Sequence, residues 1–229
     1  MLRSLIKASV AASRRAVAWN FNDIAPPAEQ LLYRFASAAD LSPWEVYSDH
    51  EHGGLSKASL ELNKEGGQTG VFAGTLSVDI HDDANIRMKR SGFSGMRTSH
   101  EDDILDLEPF DTIAFRLKGD GRVYVSNIRT ENWIGGLGAS ASNTWQAFVF
   151  APAGEWSVVR IPLTKYLPTW RGKIIDSNQA LNAARVTGMG LSLAADGGPE
   201  EAVQGPGQFR LELDWIKAMR EFGGTFEHF

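Results

Sequence analysis

The chain is 229 residues long, 43% hydrophobic and 22% charged, contains no cysteine, and has a formal net charge of −5 at pH 7. That is room for one sizeable domain with tails; disulfides, zinc–thiolate centres and a cysteine nucleophile are excluded, and no apolar run reaches the roughly 20 residues that span a bilayer. Residues 1–20 hold Arg3, Lys7, Arg14 and Arg15 and no acid, contributing +4 and leaving −9 for the remainder, an acidic body that argues against nucleic-acid binding, which needs clustered cations.

Residues 1–25 come first: basic, serine-containing and free of acid up to Trp19, with Arg3, Lys7 and Arg14 on one side of a helix. This is the composition of an organellar targeting helix or an amphipathic leader. Pro26-Pro27 ends it. Residues 31–220 then read as a β-domain, and 221–229 as a frayed tail. Extended pieces are expected at Leu31–Phe35 and Trp44–Tyr47. Ala58, Leu60 and Leu62 alternate, as do Phe72, Gly74, Leu76, Val78 and Ile80. Gly92–Thr98 returns as a strand.

Thr112–Lys118 alternates most clearly: Ile113, Phe115 and Leu117 point one way, Arg116 and Lys118 the other. A period of two means a strand with one wet face. Gly119-Asp120-Gly121 follows, then Arg122–Ile128, and the pair reads as a tight hairpin. A glycine-containing loop, Thr130–Asn143, leads to strands at Trp145–Phe150 and at Trp156–Ile161, stopped by Pro162. Pro162–Ala184 reads as irregular. Val186–Ala195 is a strand whose glycines at 188 and 190 suggest a bulge. Phe209, Leu211, Leu213 and Trp215 alternate against Arg210, Glu212 and Asp214 as a final strand. About ten strands without clear interior helices predict an all-β jelly-roll sandwich.

Few residues point to chemistry. Asp49, His50, Glu51 and His52, then His81-Asp82-Asp83, then His100 to Asp103, are His–acid clusters. They fall in loops without metal-ligand spacing, so polar loop residues are the expectation. No Gly-x-Ser-x-Gly elbow occurs, and Gly119–Gly121 opens no helix and so is no phosphate loop. Of seven tryptophans, Trp44, Trp145, Trp156 and Trp215 fall in strands and are expected in the core. Trp133 and Trp170 lie outside them. A Trp beside Arg171 is what a binding hot spot looks like.

An ordered set of motifs carries a resemblance: Trp44 with Asp49–Ser56 (DHEHGGLS), Phe72–Leu76 (FAGTL), Ser91-Gly92-Phe93, Lys118–Tyr124 (KGDGRVY), Glu155-Trp156 leading to Ile161-Pro162, and Phe209–Ile216. From about residue 33 to 217 the chain resembles the thirty-kilodalton complex I intermediate-associated protein family, assembly factors of mitochondrial NADH:ubiquinone oxidoreductase. Trp145–Pro152 and Leu167–Gly172 look like its plant and algal branch.

The resemblance implies a galactose-binding-like jelly roll and a non-enzymatic assembly factor that binds membrane-arm intermediates of complex I. It implies no catalytic residue, metal or cofactor. Partners would be complex I subunits and other assembly factors, on the matrix side of the mitochondrial inner membrane, peripheral to it and without a transmembrane segment. Residue type and loop position make Trp133, Trp170 and Arg171 the candidate partner contacts, with Arg97 and Arg122 as polar ones. Two other readings stand beside this: a carbohydrate-binding module stacking Trp133 and Trp170 on a sugar, and an enzyme in which His50 or His52 converges with His81 and His100.

Overall fold

Alternating apolar residues fold into strands that bury every second side chain. The computed structural model describes residues 27–64, 67–81, 91–98, 104–131, 143–170, 172–175, 180–196 and 202–221. The basic segment 1–25, read as a helical leader, lies outside them, as does the tail beyond Glu221. Thirteen strands among the described residues form two sheets. One sheet runs β3 (Lys57–Leu62), β4 (Gly70–Leu76), β13 (Gly207–Met219), β6 (Thr112–Lys118), β9 (Trp156–Pro162), with β1 (Glu29–Arg34) also on β13. The other runs β11 (Lys173–Ile174), β10 (Leu167–Trp170), β8 (Asn143–Phe150), β7 (Val123–Thr130), β12 (Val186–Ala194), β5 (Phe93–Arg97), β2 (Glu45–Ser48). The pairs are antiparallel. One short helix, α1 (Ala38–Leu41), is capped by the Ser37 hydroxyl, which accepts from the Asp40 N–H at 3.2 Å. Facing rows of Phe72, Phe115 and Leu211 from one sheet and Tyr124, Ile128 and Leu191 from the other make the core.

The expected hairpin at Gly119–Gly121 does not form. β6 and β7 lie in different sheets, and the Gly-Asp-Gly segment steps from one to the other. Asp120 anchors the step: its carboxylate accepts from the Arg122 N–H at 3.1 Å, the Tyr124 hydroxyl at 3.2 Å and the Arg210 N–H at 2.7 Å. Leu117 and Tyr124 therefore enter the core from different sheets.

Two tryptophans also differ from expectation. Trp44 and Trp145 are buried, and the Trp145 indole donates to the Thr130 hydroxyl at 3.3 Å. Trp156, however, sits opposite Lys118, on the outer side of its sheet, and is 40% exposed. In β13 the register shifts between Leu213 and Trp215. One extra residue inverts the faces beyond it, so Ile216 and Ala218 enter the core. Trp215 turns outward, with the Lys217 ammonium 4.8 Å from its ring centroid. A second shift lies between Val186 and Gly188, in the strand where glycines suggested a bulge. The stretch read as irregular, 162–184, contains β10 and β11. The strand read as reaching Ile80 stops at Leu76, where Ser77 turns to Ser56.

All four tyrosines have raised phenol pKa values, and burial is the largest cause for each. For Tyr124 the Asp120 carboxylate adds to it. The folded state thus keeps phenolic protons at a pH where the unfolded chain releases them. That stabilisation is complete below the ordinary tyrosine pKa of about 10 and is lost as pH rises above it. The denaturant midpoint is expected to be steady through neutral pH and to fall above about pH 10; a midpoint still level at about pH 12 contradicts this.

Candidate functional site

The two outer faces differ in chemistry. On the six-stranded sheet, β13 and its neighbours present charges in pairs: Arg116 with Asp214, Lys217 with Glu29 at 2.6 Å, and Arg160 with Glu221 at 2.5 Å. The Arg116 guanidinium lies over the Trp156 ring, 5.2 Å from its centroid. A trough of about 620 Å³ opens there, with Asn63, Lys118, Trp156, Arg210 and Glu212 among its walls. Glu212 is nearly buried and accepts from Asn63 Nδ2 at 2.7 Å and from the Thr69 hydroxyl at 2.6 Å. These bonds tie the β3–β4 connection to β13, which makes Glu212 structural.

On the seven-stranded sheet a run of side-chain hydrogen bonds joins three neighbouring strands, β8, β7 and β12. Gln146 Nε2 donates to Asn127 Oδ1 at 2.7 Å, and Asn127 Nδ2 donates to the Ser192 hydroxyl at 3.0 Å. The Tyr47 ring lies over Gly95, where any Cβ would collide with the phenol; glycine is required by that close approach. The Arg97 guanidinium lies 5.2 Å from the centroid of that ring and pairs with Glu45 at 3.1 Å. Beyond the polar chain the face turns apolar. Phe148 and Phe150 on β8 are each 55% exposed, with ring centroids 6.2 Å apart. Leu167 on β10 and Ile174 on β11 are also exposed.

The expected contact residues scatter. Trp133 and Arg171 lie outside the described residues. Trp170 is exposed at the end of β10, and Arg97 stands on the outer face of β5. Arg122 is not on the surface: it is 6% exposed. Its Nε donates to the Gln208 carbonyl at 3.1 Å and its Nη1 to the Gly205 carbonyl at 2.9 Å. A guanidinium so placed closes a loop of its own chain. Sequence reasoning missed Tyr47, Phe148 and Phe150 as surface groups. In Trp145–Phe150 the inward Ala147 and Val149 are as apolar as the outward phenylalanines, so period two marks neither face.

The His–acid clusters separate into different roles. Asp49 is no polar loop residue but a fully buried hub. His50 and His52 lie beside it on a 3-10 turn, Asp49–His52. The His81 N–H donates to the Gly53 carbonyl at 3.0 Å, which brings its backbone to the same turn. His100 lies outside the described residues. Among the described residues no three metal-ligating side chains come together, and no helix is long and apolar enough to cross a membrane.

Comparison with known proteins gives a consistent picture. The family model described as "Complex I intermediate-associated protein 30" matches residues 33–213. A mitochondrial protein of that name from Drosophila melanogaster is 28% identical over 199 residues, covering 83% of this chain and 63% of the fly protein. Its Mus musculus counterpart is 28% identical over 205 residues, covering 86% of this chain and 58% of the mouse protein. The chain thus spans less than two thirds of these relatives. Among solved structures, a family 11 carbohydrate-binding module from Clostridium thermocellum, in complex with a β-1,3-1,4-mixed-linked tetrasaccharide, superposes with a TM-score of 0.55 at 18% identity, over 84% of this chain and 95% of the module. An agarase, AgWH50C, superposes over 84% of this chain and 25% of its own with a TM-score of 0.51 at 9% identity. Likeness at that distance speaks for the jelly-roll sandwich alone.

Proposed function

The chain belongs to the Complex I intermediate-associated protein 30 family, and on that premise we propose that it is a non-enzymatic assembly factor that holds a membrane-arm intermediate of mitochondrial complex I. The family match across residues 33–213 carries the reading, and the relatives' own names supply the mitochondrion and the intermediate. Its place would be the matrix side of the inner membrane, peripheral to it, among complex I subunits and other assembly factors.

The physics suits the role. Two hydrogen-bonded sheets sealed by an aromatic core form a stiff body, so groups on its surface meet a partner with little ordering cost. Trp170 and Arg97, with Trp133 and Arg171, stand as contacts, whereas Arg122 serves the fold. The experiment is loss of the gene product, with complex I followed on native gels. Mature complex should fall and subassemblies accumulate, and the wild-type chain should restore it. Normal assembly without the protein overturns the reading.

A further inference from the structure

The strands that end the two sheets are β3 and β9 in one and β11 and β2 in the other. β11 and β2 are only two and four residues long. β3 carries Lys57 and Glu61 on its exposed row, and β1, beside β13, shifts register between Leu31 and Tyr33. Shortness, charge and bulges keep strand edges from pairing with another chain. β9 is guarded least: seven residues, WSVVRIP, in unbroken register with β6 and with a single charge, Arg160. Its phase is fixed. Pro162 has no N–H to give, and the next N–H, that of Leu163, donates to the Asp111 carbonyl at 2.7 Å. Ser157, Val159 and Ile161 therefore turn their N–H and C=O groups toward β6, and Trp156, Val158 and Arg160 turn theirs away from it. Among the described residues nothing bonds to those outward groups, and all three residues are exposed.

We infer that β9 pairs antiparallel with β9 of a second copy of this chain, joining their sheets across a two-fold axis at Val158. Self-complementarity selects a second copy over another protein's strand. With Val158 opposite Val158, Trp156 of each copy falls opposite Arg160 of the other, and every outward N–H and C=O of these residues is answered. A β-branched side chain lies on the axis. Each indole, already 5.2 Å from its own Arg116 guanidinium, gains a second cation from across the axis. An axis at Arg160 would instead oppose two guanidinium groups, and one at Val159 would set Trp156 against Pro162, which has no N–H. On the inner row half-buried Ser157 meets half-buried Val159. Exposed Glu155, just before the strand, falls opposite Ile161 of the second copy and diagonal to its Arg160, and Glu221 stays on Arg160 at 2.5 Å. The contact is narrow, so a reversible dimer in the micromolar range is expected. The pairing needs no complex I subunit and stands apart from the assembly role.

Sedimentation equilibrium of the purified full chain tests this, and a dimer that dissociates on dilution is expected. Val158→Pro removes an N–H that faces away from β6, so it takes no bond from that ladder and should leave a folded monomer. Val158→Lys keeps the backbone but sets two ammonium groups on the axis, and should weaken the dimer about tenfold or more. Unfolding midpoints of the dilute variants close to the wild type confirm that they are folded, and the lysine variant carries the test if the proline variant is not. Ser59→Lys, on the edge strand β3, should dimerise as wild type. The chain has no cysteine, so Val158→Cys gives a single possible disulfide. The Cα atoms of such a pair lie about 5.5 Å apart, within disulfide reach, and mild oxidation should link the copies, whereas Ser59→Cys should stay unlinked. A wild type that is monomeric up to its solubility limit overturns the inference, as does a dimer that survives both Val158→Pro and Val158→Lys. If the wild type is monomeric yet folded Val158→Pro fails to support complex I assembly in cells, the edge takes a strand of another protein and the second copy is ruled out. The gene-loss experiment decides the assembly role separately, because sedimentation needs no complex I.

Discussion

Asp49→Ala should remove about 3–5 kcal/mol of folding stability, because it strips the acceptor from several buried donors at once. Asp49 is fully buried. Its Oδ1 accepts from the Ser56 N–H at 3.0 Å, and its Oδ2 accepts from the Ser56 hydroxyl at 2.9 Å and from the Gly92 N–H. Ser56 in turn takes the Ser77 N–H at 3.0 Å. One carboxylate therefore joins the turn after β2, the start of β3, the exit of β4 and the entry of β5, which belong to both sheets. Alanine would orphan the Ser56 and Gly92 amides where water does not reach. Asp49→Asn should cost less, since it keeps one acceptor oxygen but turns an NH₂ toward another donor. Gly54→Ala should approach the alanine loss from the other side, because its Cβ would overlap the Asp49 carboxylate. Whole domains are stable by only about 5–15 kcal/mol, so a urea midpoint unchanged in Asp49→Ala would remove Asp49 from the frame of the fold.

Arg122→Ala is expected to cost about 3 kcal/mol, as two carbonyls lose a charged donor. The side chain reaches from the sheet crossover to the Gly205 and Gln208 carbonyls, 83 and 86 residues on, and so holds the entry of β13 against β7. Arg122→Lys should not rescue it. One ammonium is a point charge on a flexible stem and cannot reproduce a planar fork serving two fixed carbonyls. Calorimetry and limited proteolysis read the effect: a lowered melting temperature, and earlier cleavage near residues 202–207. A variant that melts as wild type would return Arg122 to the surface, as a partner contact.

The motif DHEHGGLS shows how a sequence can be read correctly as a pattern and incorrectly as chemistry. Its histidines and acids suggested polar loop residues. The structure makes Asp49 a buried acceptor and leaves His50 and His52 on the outside of the turn. The cue available beforehand was the neighbouring Gly53-Gly54 and Ser56, which give a carboxylate room and a donor. The partners that bury it, Gly92 above all, stand 43 residues away, beyond any local pattern. KGDGRVY behaves alike: Asp120 and Arg122 looked like a hairpin and a surface cation, and are the two clamps of a sheet-to-sheet step.

Other misses have equally plain causes. β10 carries Pro168, which lacks a backbone donor, and is four residues long, so little in Leu167–Trp170 resembles a strand. Trp215 follows the alternation of Phe209, Leu211 and Leu213 perfectly, but one extra residue in the register inverts it. Trp156 begins an edge strand whose outer row is Trp156, Val158 and Arg160, and an apolar first residue did not reveal which row faced out.

By itself the sequence determined the all-β class, most strand positions and the family. Alternation within a strand and the order of motifs are local properties, written in neighbouring residues. Only the tertiary structure decided which sheet each strand joined, which row of each strand faced water, and which polar side chains went inside. Those outcomes depend on partners tens of residues away, because a side chain is buried or exposed by what packs against it and not by what precedes it in the chain.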